Sequence, residues 1–180
     1  MTRYFAFLRA INVGGHTVKM GALKQLFEGF GFNQVETFIA SGNVIFETDQ
    51  GSAHELENRI EAALVEALGF KSAVFLRTFQ ELAQITVCQP FPEDQFSQAT
   101  AFNVAFLKES PDEAAIGRLM ALQNEIDAFA VVGREMYWLC QVRQSESKFA
   151  NTVLEKVLGQ PATMRQVSTM QRFVEKYKEG

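Results

Sequence analysis

The chain has 180 residues, 47% of them apolar and 21% charged, with a net charge of -4 and a pI near 5.3. A chain of this length buries roughly 70% of the surface it exposes when unfolded, so it needs no disulfide or metal staple, and its balance is that of a soluble globular protein rather than a disordered or membrane one. The acidic excess leaves no surplus of cations to displace counterions from a nucleic-acid backbone, which makes nucleic acid a disfavoured partner.

Cys88 and Cys140 stand far apart and fit neither a disulfide framework nor a metal-ligand spacing, so both read as reduced, packed thiols. The first apolar run, residues 4–8, is too short for a signal-peptide core, and no stretch approaches the roughly 18 apolar residues of a spanning helix. A cytoplasmic location and no membrane partner are expected. Phe is frequent, at 17 residues. Such rings fill a core in most proteins; the alternative is a stacking surface for bases.

In chain order, residues 4–8 read as a strand. Leu23, Leu26, Phe27 and Phe30 then fall at i, i+3, i+4 and i+7, which predicts a helix over residues 20–30 with Gly31 as its stop. Residues 35–40 and 44–46 make two strands joined at Ser41-Gly42. Ser52 and Glu55 have capping-box spacing before a helix striped by Leu56, Ile60, Leu64 and Leu68, which ends at Gly69. A fourth strand covers residues 71–76, and Thr78 with Glu81 caps a short helix. Residues 89–100, with Pro90 and Pro92, have linker composition.

After this link the order repeats. Residues 101–107 alternate as a strand, Ser110, Pro111 and Glu113 start a helix, and residues 127–132 and 135–140 form a hairpin around Gly133-Arg134. A helix containing Phe149, Val153, Val157 and Leu158 stops at Gly159, a strand covers residues 162–165, and Ser168 with Gln171 caps the last helix. Two details support a duplication. Gly69 and Thr78 are separated by the same nine positions as Gly159 and Ser168, and Phe5-Ala6-Phe7-Leu8-Arg9 resembles Val104-Ala105-Phe106-Leu107-Lys108. The expected fold is α+β, with two ferredoxin-like β-α-β-β-α-β halves, residues 1–90 and 91–180, related by internal duplication and packed together as one compact unit. Strand-end loops would then border a cleft between the halves, a recurrent place for a ligand.

Tyr4-Phe-Ala-Phe-Leu-Arg-Ala-Ile-Asn-Val-Gly-Gly15, followed by Val18-Lys19-Met20, Ala22-Leu23 and Ser41-Gly42-Asn43-Val44 with Phe46, resembles a bacterial family of unknown function, DUF1697. The likeness continues through Phe149, Asn151, Leu158-Gly159 and Thr163-Met164-Arg165. It implies a small cytosolic α/β protein of two similar intertwined subdomains, and it implies no activity. Family members often continue the last motif with Asn-Trp after the Arg; here Gln166-Val167 stand there.

The polar residues of the strand ends are the candidate ligand contacts. Gly14 and Gly15, between a strand and a helix, suit a turn whose amides face an anion, although neither G-x-G-x-x-G nor G-K-[S/T] is present. Arg9 has the fork geometry for a phosphate or carboxylate. Asn12, Gly42 and Asn43 lie at the same strand ends. Ser41 becomes a nucleophile only beside a base, and His16, the one imidazole near the glycines, stands outside any G-x-S-x-G elbow. Asn151 and Arg165 are the candidate contacts from the second half. No histidine, cysteine or carboxylate grouping matches a metal set, no cofactor is expected, and no carboxylate pair suggests acid–base work, so the catalytic residues and whether this is an enzyme stay open. The favoured function is binding of a small anionic molecule in the cleft, with or without chemistry. The alternative is a protein-interaction or regulatory module without catalytic activity, its partner unspecified.

Overall fold

The computed structural model of the chain describes residues 1–39 and 42–178 and divides into two units, Met1–Glu81 and Leu82–Gly180. The first unit runs through β1 (Thr2–Leu8), α1 (Met20–Gly29), β2 (Asn33–Thr37), β3 (Asn43–Thr48), α2 (Ala53–Leu68), β4 (Val74–Thr78) and the start of α3 (Phe79–Val87). The second contains α4 (Glu93–Gln98), β5 (Ala101–Leu107), α5 (Glu113–Met120), β6 (Asp127–Val132), β7 (Glu135–Cys140), α6 (Asn151–Leu158), β8 (Ala162–Gln166) and α7 (Val167–Tyr177). Each unit holds a four-stranded antiparallel sheet, in the orders β2-β3-β1-β4 and β6-β7-β5-β8. These are the same ferredoxin-like order twice, so the fold is α+β with two similar halves.

Side-chain alternation explains how each sheet takes its helices. Along β1, Tyr4, Ala6 and Leu8 join Leu23 and Phe27 of α1 and Leu56, Ile60 and Leu64 of α2 in one apolar cluster. The residues between them, Phe5 and Phe7, are also buried, as are Ile45, Phe75 and Arg77. A strand buried on both faces reads as an unbroken apolar run, which is what residues 4–8 show. In the second unit Ala105, Leu107, Phe129, Met136 and Trp138 pack with Leu119, Leu154 and Leu158 in the same manner.

The register makes the repeat residue-specific. Phe5 stands opposite Arg77 and Val104 opposite Arg165, so Phe5 matches Val104 and Arg77 matches Arg165. The strand resemblance read from sequence is therefore a true equivalence. The shared nine-residue spacing is not: Thr78 matches Gln166 rather than Ser168, because Tyr4 pairs with Thr78 and Asn103 with Gln166. Ser168 lies inside the first turn of α7, whose N-cap is Gln166.

Other differences have local causes. The N-cap of α5 is Asp112, whose carboxylate accepts the Ala115 N–H at 2.7 Å, and Pro111 precedes the cap. The link over residues 89–100 contains α4, where Phe91, Phe96 and Phe102 meet edge to face with centroids 4.8 to 6.1 Å apart. That tertiary contact outweighs the composition of the segment. β2 begins at Asn33, with a bulge at Gln34 (φ +49°), and ends at Thr37. β4 starts at Val74, three residues later than the apolar pattern places it.

The edge strands β4 and β8 are closed by carboxylates from the second helix of each half. Glu57 and Glu61 of α2 accept the N–H groups of Leu76 and Val74, each at 2.8 Å. Glu155 of α6 accepts the Ala162 N–H at 2.9 Å. Val74 and Ala162 are equivalent, so Glu61 and Glu155 are equivalent too. Glu57, four residues earlier, is fully buried. Glu57→Ala leaves a buried backbone donor unmet, and urea denaturation is expected to show a loss of about 1–3 kcal/mol.

The start of α2 is held by a reciprocal cap. Glu55 Oε2 accepts from the Ser52 N–H at 2.8 Å, and Ser52 Oγ accepts from the Glu55 N–H at 3.4 Å. The bond from the Ser52 N–H, with a second that Ser52 Oγ donates to the same Oε2 at 2.8 Å, holds the Glu55 carboxyl below its ordinary range. A carboxylate with a lowered folded-state pKa contributes stability above its unfolded value and loses it as the pH falls through the folded one. Denaturation midpoints across an acid series are therefore expected to fall less steeply in Glu55→Gln than in the parent.

Candidate functional site

Two turns of the first unit meet where β1 ends. Leu8 N–H donates to Gly42 O at 2.9 Å and Arg9 N–H to Ala73 O at 2.9 Å, while Ser72 Oγ donates to Arg9 O at 2.8 Å. These bonds pin the first residues of the β1–α1 connection, residues 9–19, against the strand ends beside it. Gly42 is buried with φ +77°, and a Cβ there would lie 2.7 Å from Ile11 Cγ2 and 3.2 Å from Leu8 Cβ. Glycine is thus required twice over, by its backbone angle and by the closeness of Ile11. Ala10 and Ile39 also adopt left-handed angles, each with φ +54°. For a β-branched residue such as Ile39 this is a strained conformation.

The polar side chains of these turns have structural partners. Asn12 Oδ1 accepts the Val18 N–H at 2.7 Å and closes the 9–19 connection on itself. Asn43, buried, donates its amide to Ile39 O at 3.0 Å and Phe38 O at 3.3 Å. His16 stacks on Phe70 with centroids 3.9 Å apart. Gly14 and Gly15 are exposed, with φ +66° and +85° and open space where a Cβ would stand, so they are glycines for their backbone angles. Arg9 is half-buried. Ser41 lies outside the described residues.

Charge distinguishes this region. Residues 1–27 contain Arg3, Arg9, Lys19 and Lys24 and no Asp or Glu, in a chain whose net charge is -4. α1 begins with Lys19 as its N-cap, without a side-chain cap bond and without an acidic residue in the first turn. Its first N–H groups and the positive end of its dipole therefore add to the cations. The matching connection of the second unit shares a cation at its first position, Lys108 against Arg9, and differs in length, acidity and capping. It has five residues, 108–112, against eleven, it includes Glu109 and Asp112, and Asp112 caps the helix that follows.

Asn151 and Arg165 lie in the second unit, on different sides of its sheet. Asn151 opens α6 and donates to Ala162 O at 2.9 Å. Its position matches Glu57 of the first half, by the equivalence of Glu61 and Glu155 four residues on. Asparagine is one methylene shorter than glutamate, and Asn151 Oδ1 is buried with no hydrogen-bond partner among the described residues. Met164 packs on the helix-side cluster, so its neighbour Arg165 faces the other way. Arg165 Nη1 donates to Met164 O at 2.8 Å and to Thr163 Oγ1 at 2.9 Å. Burial pulls its pKa down to about 10, so it keeps its charge at neutrality. Arg77, its match in the first half, makes the same bond to Leu76 O at 2.8 Å. The repeat of this contact in both halves identifies a shared structural arginine position.

A polar network in the second unit is absent from the sequence reading. Asp127, buried at the start of β6, accepts from Trp138 Nε1 at 2.8 Å and from Ser147 Oγ at 2.8 and 2.9 Å, and Asn124 Nδ2 lies 3.5 Å away. Cys140 pairs with Asp127 across the strands, and burial, with Asp127 adding to it, pushes the thiol pKa up, so the thiol stays protonated. The only sequence signal was an acidic residue at the first position of a strand, which is common in turns. Among the described residues no group of three or more His, Cys, Asp or Glu side chains is placed to hold a metal ion, and no helix is long and apolar enough to cross a membrane.

The chain belongs to the family described as Protein of unknown function (DUF1697), which matches residues 1–137. Its fold is also that of the conserved bacterial protein SP0830 from Streptococcus pneumoniae. The two are 23% identical, the match covers 97% of each chain, and the TM-score is 0.73. No curated protein matches the chain.

The Gly42 contact makes a sharp test of how the two turns are joined. Gly42→Ala must both strain a left-handed backbone and displace Ile11, so a loss of about 1–3 kcal/mol is expected in chemical denaturation. Gly14→Ala meets no neighbour and is expected to cost less, because the backbone angle alone opposes it.

Proposed function

We propose that the first unit binds a small anionic molecule at the turns that end β1 and open β3, with Arg9, Lys19, the Gly14 and Gly15 amides and the first turn of α1 as its contacts. The observation that carries this reading is the contrast between the halves. In a repeated fold, the first half has an eleven-residue, acid-free, glycine-bearing connection where the second has five residues and a capped helix. Structural need does not account for the difference, since the second half makes the same crossover with the shorter connection. The left-handed Ala10 and Ile39 support the reading, because strain of this kind persists only where the surroundings enforce it and collects at ligand sites. Asn12 and Asn43 act here as braces of the turns.

A ligand at a hundredfold its Kd stabilises by about 2.7 kcal/mol, and a protein of this size melts about 2–4 °C higher per kcal/mol. A thermal-shift panel of nucleotides, sugar phosphates and small carboxylates is expected to contain compounds that raise the melting temperature of the parent. The shift should shrink in Arg9→Ala and in Lys19→Glu, the second being an exposed position that leaves the fold undisturbed. A panel without a shift, or shifts equally large in both variants, would sink the assignment.

A further inference from the structure

The edge strand β6 is closed along only part of its length. Its even-numbered residues face β7: the turn Gly133-Arg134 closes on the Val132 and Glu135 pair, and Gln141 N–H donates to Ile126 O at 2.9 Å. The odd-numbered residues therefore present their backbone groups outward. Asn124 closes Asp127, accepting its N–H on Oδ1 at 3.0 Å and donating its own N–H to Asp127 O at 3.1 Å. Gln123 Oε1 accepts the Phe129 N–H at 3.0 Å. Beyond that point, among the described residues, no hydrogen bond reaches the outward N–H and C=O of Val131 or the outward C=O of Phe129. The sequence there, Ala128-Phe129-Ala130-Val131-Val132, contains no charge and no proline, and Val132 is 50% exposed. β4 and β8 have their carboxylates and β2 has a bulge and Glu36; this end of β6 has no such device.

We propose that β6 pairs with β6 of a second copy of this chain, antiparallel, about a two-fold axis through Val131. In this register the Val131 N–H of each copy donates to the Val131 C=O of the other, and the Gln123 bond is left intact. Moving the axis to Ala130 would require the Phe129 N–H, which Gln123 already holds. The chosen register sets Val132 beside Ala130 of the second copy, an apolar pair on one face. It also brings Arg134 alongside Ala128 of the second copy, at the margin of a depression of about 310 Å³ whose lining includes Asp94 and Glu125. The cation at one end of the strand thus meets acidic residues at the other end of its mate, and the two-fold axis repeats the match.

Sedimentation velocity over a wide concentration range tests this directly. The parent is expected to show a reversible monomer–dimer equilibrium. Val131→Pro removes the outward N–H without touching the ladder to β7, as proline does on an edge strand, and should weaken dimerisation by about tenfold or more with an unchanged circular dichroism spectrum. Val132→Lys, at a half-exposed position, should do the same and decides the matter if the proline variant fails to fold. A parent that stays monomeric throughout, including one that captures an extended peptide instead, overturns the proposal, as does a dimer equally strong in Val132→Lys.

Discussion

Every strand at the edge of a sheet carries a row of backbone donors and acceptors that must find partners, and this constraint organises both units. In the first, Glu57 and Glu61 reach from α2 to the N–H groups of β4; in the second, Glu155 reaches from α6 to β8. The helix packs on the sheet by its apolar stripe, and these carboxylates let it also finish the hydrogen bonding of the strand beside it. A helix that does both is locked in rotation and in register. Such an anchored layer then fixes where the end of β1 and the start of β3 lie, beside Val74, and with them the turns at Gly42 and over residues 9–19.

Much of this architecture was legible in the sequence, and for identifiable reasons. The Ser52 and Glu55 box, the left-handed stops at Gly69 and Gly159 and the hairpin at Gly133 are each local devices, with the deciding residues within a few positions of one another. The repeat was legible because β1 and β5 are buried on both faces and carry matching apolar runs. What escaped depended on contacts distant in sequence. α4 is held by Phe91, Phe96 and Phe102 across a proline-bearing stretch. The Asp127 network joins a strand, its neighbour and a turn that lie about as far apart as Asp127, Trp138 and Ser147. The cap at Asp112 was hidden by the stronger local signal of Ser110 and Pro111.

The candidate site divides along the same line. Sequence singled out Arg9, Asn12, the glycines, Asn43 and their neighbours because they are small or polar at strand ends, and structure separates their tasks. Asn12 and Asn43 satisfy backbone groups of their own turns, and Gly42 lets Ile11 approach. The Arg77 match shows that Arg165 occupies a position both halves use. The absence of carboxylates before Glu28 was present in the sequence throughout, but its meaning depends on knowing that the matching connection of the other half is short and acidic.

Duplication supplies an internal control that single-copy folds lack. Where the halves agree, as at Leu8 and Leu107 or Glu61 and Glu155, the shared residue or contact answers to the fold. Where they disagree, one copy has been released from that requirement. Asn151 in place of Glu57 is such a disagreement and leaves an acceptor unmet, a small loss confined to one edge. The 9–19 connection is a larger one, since it adds backbone to be ordered, keeps Ala10 in left-handed strain and gathers like charges. Each of those features costs stability. Their coexistence at one strand end, in the half that has no topological need of them, is the physical ground for placing a ligand there rather than at the equivalent end of the second sheet.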